Sequence, residues 1–76
     1  MATRRVVSAR ELLRVLRSLG FEVVGRKGSH IRLKRRDPSP TRVVVMPDHA
    51  EIAPGTLASI LRQAGLTRED LDERLR

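Results

Sequence analysis

The sequence predicts an α+β domain with the element order α-β-β-β-α followed by a short C-terminal helix. Three observations lead to this prediction. Apolar residues recur at helical spacing near both ends of the chain, three runs of strand-forming residues lie between them, and the loops joining those runs are short. Because short loops join neighbouring strands, we expect a three-stranded antiparallel sheet with the two longer helices on one face.

The first predicted helix begins at Ser8. Ser8 and Glu11 have the spacing of a capping box, in which the hydroxyl accepts from the backbone of the third helical residue and the carboxylate reaches back. Gly20 can adopt the left-handed conformation that ends a helix. Residues 1–7 are predicted to form a short arm. The expected core side of the helix consists of Leu12, Leu13, Val15, Leu16 and Leu19.

The opposite side of this helix carries a single basic stripe. Arg10, Arg14 and Arg17 recur at positions i, i+4 and i+7, which places them on one face away from the core. Two interpretations fit the helix taken alone. The stripe is either a solvated face built from a good helix former or a surface that contacts phosphates.

Three strands are predicted at residues 21–26, 29–35 and 42–46. Lys27 and Gly28 fit a two-residue turn between the first two strands, since glycine can take a positive φ. Residues 36–41 contain two prolines and are predicted to be a turn, and Pro47 is expected to stop the third strand.

Phe21, in the first predicted strand, is expected in the core. The second strand alternates between polar and apolar residues. Its predicted core-facing residues are Ser29, Ile31 and Leu33. Its predicted open face, turned away from the helices, carries His30, Arg32 and Lys34.

The second long helix is predicted to begin at Pro54, which suits the first turn of a helix, and to end at Gly65. Leu66 is expected to fold back onto its last turn. A short third helix begins near Thr67. The apolar sides of the two helices consist of Leu57, Ile60, Leu61 and Ala64 in one and Leu71 and Leu75 in the other.

Length and composition exclude several classes of protein. Seventy-six residues suffice for one domain, 1–76, with a thin core. The absence of cysteine excludes disulfides, zinc–cysteine sites and thiol nucleophiles. No window reaches the roughly 18 apolar residues of a membrane span, and the first residues lack the apolar run of a signal peptide. A cytoplasmic location is therefore expected.

The charge is positive and unevenly distributed. The net charge is +7, and fourteen of the sixteen basic residues are arginine. Residues 1–46 hold twelve basic and three acidic residues, whereas residues 47–76 hold four and six. A basic half on a small domain indicates a nucleic-acid partner, because guanidinium groups pair with phosphates. The alternative is a general surplus of surface arginine, but such a bias should raise the number of basic residues in both halves of the chain.

His30 is the residue best suited to chemistry. Histidine titrates near neutrality, so it serves as a general acid or base. RNA carries its own nucleophile, the 2′-hydroxyl, so a base for that proton and cations for the developing charge would suffice to cleave it. The cations nearest in sequence are Arg26, Lys27, Arg32 and Lys34. The alternative is a surface histidine beside a hairpin, without a catalytic role.

His49 is the other histidine and follows Asp48 in the loop after the third strand. It is a candidate to bind phosphate or to assist as an acid, and the alternative is a loop position without a function. Two histidines without a carboxylate cluster make a poor metal site, so we expect no metal and no cofactor. Phe21 is the sole aromatic residue, and a base-stacking platform is therefore not expected.

Several motifs occur together in a recognisable order. They are Gly28-Ser29-His30, then Pro47-Asp48-His49, then Gly55-Thr56-Leu57, and finally Ile60-Leu61-Arg62-Gln63-Ala64-Gly65-Leu66. Gly-Ser-His alone is a weak signal, but the combination is specific. From about Ser8 to Thr67 the chain resembles the HicA toxins, the small mRNA interferases of HicA–HicB toxin–antitoxin pairs.

The resemblance implies a double-stranded-RNA-binding-like fold, which the element order also matches. It further implies ribosome-independent cleavage of mRNA, His30 as the catalytic residue and neutralisation by a HicB-like antitoxin. The expected RNA-binding residues are Arg26, Lys27, Gly28, Ser29, Arg32, Lys34 and His49. The alternatives are a non-catalytic RNA-binding module of the same fold and a structural subunit of a two-protein complex.

The antitoxin is expected to cover His30 with an acidic segment, because charge complementarity would speed the encounter. Val24 or Val44 would add buried contacts if they line the open face. The competing hypothesis is inhibition through the acidic tail, residues 69–76.

Overall fold

A computed structural model describes residues 5–76 of the chain and contains, within that range, three helices and three strands. The helices are α1 (Ala9–Ser18), α2 (Pro54–Ala64) and α3 (Arg68–Leu75). The strands are β1 (Glu22–Lys27), β2 (His30–Arg35) and β3 (Arg42–Pro47). They form one antiparallel sheet in the order β1-β2-β3, which confirms the predicted α+β fold.

The hydrophobic core lies between the helices and one face of the sheet. The core residues of the strands and of the segment before β1 are Phe21, Ile31, Leu33, Val44 and Met46. Those of the helices are Ala9, Leu12, Val15, Leu16, Leu57, Ile60, Leu61, Ala64, Leu71 and Leu75. The other face of the sheet is therefore exposed to solvent.

Local sequence signals set the ends of the helices as predicted. The Glu11 N–H donates to Ser8 Oγ at 3.1 Å and the Ser8 N–H donates to Glu11 Oε1 at 3.2 Å, completing the capping box of α1. Gly65 ends α2 with a φ of 75°, a left-handed conformation that a side chain would strain. The Leu66 N–H then donates to the Leu61 carbonyl at 2.8 Å, so the chain folds back onto the last turn.

The N-terminal arm is tied into the core where the structure describes it. Val7 is 1% exposed, and its carbonyl accepts from the Ile52 N–H at 2.9 Å. The arm was predicted for residues 1–7, and residues 1–4 lie outside the described part. Val7 thus adds a buried contact that the helix and strand patterns did not indicate.

The short helix α3 begins with a second capping box. The Thr67 N–H donates to Asp70 Oδ2 at 2.9 Å, and the Asp70 N–H donates to the Thr67 hydroxyl at 3.0 Å. The hydrogen bond from the Thr67 backbone, followed by that from its side chain, holds the pKa of Asp70 below its usual range. Across residues 5–76, none of the helices has the length and apolarity that a membrane crossing requires.

The β1–β2 hairpin differs from the prediction in two places. The two-residue turn is Gly28-Ser29 rather than Lys27-Gly28, because Lys27 still pairs with His30. Gly28 has a φ of 58°, and a glycine in the first position of a two-residue turn is typical of type II′. Ser29 therefore lies exposed in the turn and does not face the helices. In β1 the register shifts between Val23 and Gly25, leaving Val24 as a bulge.

The outer edge of β3 is covered by a side chain of α2. The Val45 N–H donates to Gln63 Oε1 at 3.0 Å. Arg42 reaches the same helix and donates to the Gln63 carbonyl at 3.4 Å. These contacts join the end of α2 to the edge strand and occupy a backbone donor that would otherwise point outward.

Candidate nucleic-acid interface

The open face of the sheet is organised as three columns of side chains. The register of β2 with its neighbours places His30 between Lys27 and Pro47, Arg32 between Gly25 and Val45, and Lys34 between Glu22 and Val43. The central column is therefore cationic or titratable along its whole length, as predicted from the alternation of β2. The column from β3 is apolar, so the face can contact both phosphates and apolar groups.

This face contains a shallow depression of about 820 Å³. Its lining residues are Val24, Gly25, Arg26, Lys27, His30, Arg32, Lys34, Arg36, Val43 and Val45. Five of these residues carry a full positive charge, and none of them is acidic. The depression therefore concentrates positive potential around the imidazole, which favours an anionic ligand.

The backbone fixes the position of His30, and its side chain has no hydrogen-bond or ion-pair partner among residues 5–76. It is the first residue of β2, directly after the turn, and it pairs with strands on both sides. The Asp48 N–H donates to the Ser29 carbonyl at 2.6 Å, which ties the turn to the loop after β3. The exposed imidazole thus projects from a backbone fixed on both sides. Such placement suits acid or base work on a bound ligand.

Arg26 lies at the rim of the depression that it helps to line. Its register partner is Ile31, a core residue, so its side chain leaves the sheet on the helix side. Its guanidinium Nη1 lies 3.8 Å from Asp48 Oδ2, and both side chains are more than half exposed. An ion pair this exposed is weak, so Arg26 can exchange Asp48 for a phosphate.

The structure does not bring His49, Gly28 and Ser29 into the depression. The carbonyl of His49 accepts from the Ala9 N–H at 2.9 Å, so its backbone anchors the start of α1 while its side chain stays exposed. A side chain at Gly28 would meet no atom within 4 Å, and the glycine is needed there for its positive φ. These residues remain predictions as RNA contacts.

Of the three exposed valines on the open face, Val24 was named as a candidate from the sequence, whereas Val43 and Val45 were not. Val24, Val43 and Val45 are 56%, 40% and 41% exposed, whereas Val44 is fully buried. The expectation that Val44 could line the open face is therefore wrong, because Val44 faces the core and its neighbours Val43 and Val45 face outward. The run of valines at 43–45 has no change in polarity that would reveal this phase, but its pairing with β2 does.

Arg35 and Arg36 separate at the end of β2. Arg36 continues into the lining of the depression. The Arg35 guanidinium instead lies over the ring of Phe21, with 5.1 Å between its central carbon and the ring centroid. Arg35 thus packs against the core, as its position two residues after Leu33 in an alternating strand implies.

No set of three or more histidine, aspartate or glutamate side chains within residues 5–76 converges in a way that could hold a metal ion.

A family described as HicA toxin of bacterial toxin–antitoxin matches residues 9–66. The match runs from the first residue of α1 to Leu66 and includes the whole open face. The search of curated proteins finds no match.

Proposed function

Because this chain belongs to the HicA toxin family of bacterial toxin–antitoxin systems, we propose that it is an endoribonuclease that cleaves mRNA on the open face of its sheet. The observation that carries the proposal is the exposed imidazole of His30 at the end of a cationic column, flanked by Lys27 and Arg32. Family membership makes the chain a toxin with an antitoxin partner, and this face offers the chemistry that RNA cleavage requires.

The proposed reaction uses the 2′-hydroxyl of the RNA as the nucleophile. The 2′-oxygen forms a bond to the adjacent phosphorus, the bond from phosphorus to the 5′-oxygen breaks, and that oxygen takes up a proton. The products are a 2′,3′-cyclic phosphate and a 5′-hydroxyl. His30 acts either as the base for the 2′-proton or as the acid for the 5′-oxygen, and water takes the other role.

The cations of the face would stabilise the negative charge that develops on the phosphate oxygens. Lys27 lies opposite His30 on β1, and Arg32 lies two residues along β2 on the same face. Both are exposed and held on paired strands. They can therefore stabilise the negative charge on the phosphate oxygens without a large reorganisation of the backbone.

We expect cleavage to persist in excess chelator, because an imidazole and fixed cations supply the whole proposed reaction. The products should end in a 2′,3′-cyclic phosphate or, after its hydrolysis, a 3′-phosphate. Mass spectrometry of a defined RNA after cleavage in EDTA checks both points. Strict dependence on Mg²⁺, or products with a 3′-hydroxyl, would replace this mechanism with metal-assisted hydrolysis.

RNA binding should weaken steeply with salt, because each phosphate contact releases counterions. Four contacts on the open face would give a slope of about −3 in a plot of log K against log salt, and a loss of about 50-fold between 50 and 200 mM. Fluorescence anisotropy with the His30→Ala protein measures this without cleavage. An affinity that is independent of salt would contradict phosphate binding by this face and favour a structural subunit of a two-protein complex.

We further propose that the antitoxin is HicB-like and silences the toxin by covering the open face. The depression combines five cations with three exposed valines, so it suits an acidic segment that also carries apolar side chains. A partner seated there would exclude RNA from His30 directly. Inhibition through residues 69–76 would instead leave the depression accessible.

A non-catalytic RNA-binding module remains the second candidate function, and the same cationic face supports it. The two functions share the predicted salt dependence and differ in one outcome. A module would bind RNA and leave it intact, whereas an endoribonuclease would cleave it.

A further inference from the structure

We propose that RNA cleaved at His30 is also bound at a second site, the arginine stripe of α1, formed by Arg10, Arg14 and Arg17. This inference rests on the proposed function and names a further part of the same RNA-binding surface. The stripe would hold backbone phosphates of the strand beyond the cleaved bond. It would therefore raise the affinity for long RNA and leave the rate of the chemical step unchanged.

The three arginines are free to bind an external anion. All three are exposed, and none forms an ion pair with a residue in the described range 5–76. The one carboxylate on α1, that of Glu11, is already engaged by Arg5 and by the Ser8 cap. The stripe is therefore a positive surface without an ion-pair partner among residues 5–76.

Two backbone hydrogen bonds bring the start of α1 to the end of the sheet that carries His30. The Ala9 N–H donates to the His49 carbonyl at 2.9 Å, and the Asp48 N–H donates to the Ser29 carbonyl at 2.6 Å. Ser29 is the residue directly before His30. The first turn of α1, the loop after β3 and the turn before β2 therefore meet at one end of the molecule.

Arg26 supplies a charge between the two surfaces. The stripe faces away from the sheet, so a strand that contacts both sites must cross this end of the molecule. Arg26 leaves the sheet on the helix side at this end, and its exposed pair with Asp48 is easily exchanged. Arg26 thus lies at the same end of the molecule as Lys27, His30 and the first turn of α1, which carries Arg10.

The spacing of the stripe suits a nucleic-acid backbone. Seven residues of α-helix rise about 10 Å, and successive phosphates of a stacked strand lie about 3.4 Å apart along its axis. Arg10, Arg14 and Arg17 can therefore contact about three phosphates, one for each guanidinium. Arginine suits this role because its planar fork pairs with phosphate oxygens through two hydrogen bonds.

The test is a triple variant, Arg10→Gln, Arg14→Gln and Arg17→Gln, which removes the charges and keeps good helix formers. In the His30→Ala background, its affinity for long single-stranded RNA should fall about 20- to 50-fold at 0.15 M salt, and the salt slope should become less steep by about 2. With His30 intact, the variant should cleave a substrate of a few nucleotides at the normal rate.

The matched control removes the same number of charges from the other helices. Arg62, Arg74 and Arg76 are exposed on or beside α2 and α3, and they belong neither to the stripe nor to the lining of the depression. Their replacement by glutamine changes the net charge by the same three units. It should leave the affinity for long RNA within a few-fold of the parent protein.

Three outcomes would overturn the inference. One is an equal loss of RNA affinity in the control, which would show that the stripe affects RNA binding only through the net charge of the protein. Another is lost cleavage of the short substrate in a variant that melts normally, which would place the stripe in the chemical step. The third is weakened antitoxin binding with unchanged RNA affinity, which would make the stripe a protein-binding surface.

Failure of the proposed function gives a different result from failure of this inference. If the protein cleaves no RNA but the stripe variant still loses affinity for long RNA, the endoribonuclease is refuted and the second RNA-binding site stands. If cleavage is seen and the stripe variant binds long RNA like its parent, only the stripe is refuted.

Discussion

Replacing His30 with alanine is expected to abolish RNA cleavage and leave the fold intact. Loss of a general acid or base lowers the rate about a hundred- to ten-thousand-fold. The side chain is exposed on the open face, so the free energy of unfolding should change by no more than about 0.5 kcal/mol. Single-turnover cleavage at saturating RNA, thermal melting and growth arrest on expression measure the three consequences.

The matched control is His49→Ala. His49 is the same residue type and is exposed, but it does not line the depression. Because His49 is a predicted RNA contact, the His49→Ala variant should at most bind RNA more weakly. Its cleavage rate at saturating RNA should stay near the normal value. A His30→Ala variant that remains fully toxic would refute the catalytic assignment, and lost cleavage in His49→Ala alone would move that role to the loop.

Replacing Val43 and Val45 with glutamine is expected to weaken antitoxin binding about 10- to 100-fold, since a central interface residue often contributes more than about 1 kcal/mol. Both side chains are exposed between the cationic column and the edge of the sheet. The change removes apolar contacts without changing the charge. Titration calorimetry with the purified antitoxin measures the effect, and RNA cleavage by the free variant shows that the toxin itself is intact.

The control for this prediction is Val6→Gln. Val6 is 59% exposed, comparable to the valines of the sheet, but it lines a groove beside α2 rather than the open face. Antitoxin affinity should not change. Hydrogen exchange on the complex gives an independent answer, because protection confined to residues 69–76 with β2 still open would contradict steric inhibition.

The helices were predictable because their signals are local. A serine three residues before a glutamate, a proline in a first turn and a glycine that ends a helix act within one turn of the chain. The structure places Ser8, Pro54 and Gly65 in those roles. Ile31 and Leu33 were likewise assigned to the core correctly, since β2 is the central strand and its alternation is uninterrupted.

The rest of the candidate site depends on which residues face each other across strands. The bulge at Val24 adds a residue to β1 between the partners of Arg32 and Leu33, and the turn lies at Gly28-Ser29. Neither feature follows from the composition of β1. The same holds for Val44, whose burial is set by its pairing with Leu33 and not by its equally apolar neighbours. His30 and Arg32 could be placed on the open face and Val24 was a candidate for it, but Val43 and Val45 could not be assigned to it.

The contact between Gln63 and Val45 limits how any partner can approach this molecule. Proteins that recognise a sheet by adding a strand need free backbone donors along an edge. At β3 such a partner would have to displace the Gln63 carboxamide from the Val45 N–H, and at β1 it would meet the irregular backbone at Val24. Recognition of the sheet is thereby directed to side chains on its open face, which is the face that we propose for both RNA and the antitoxin.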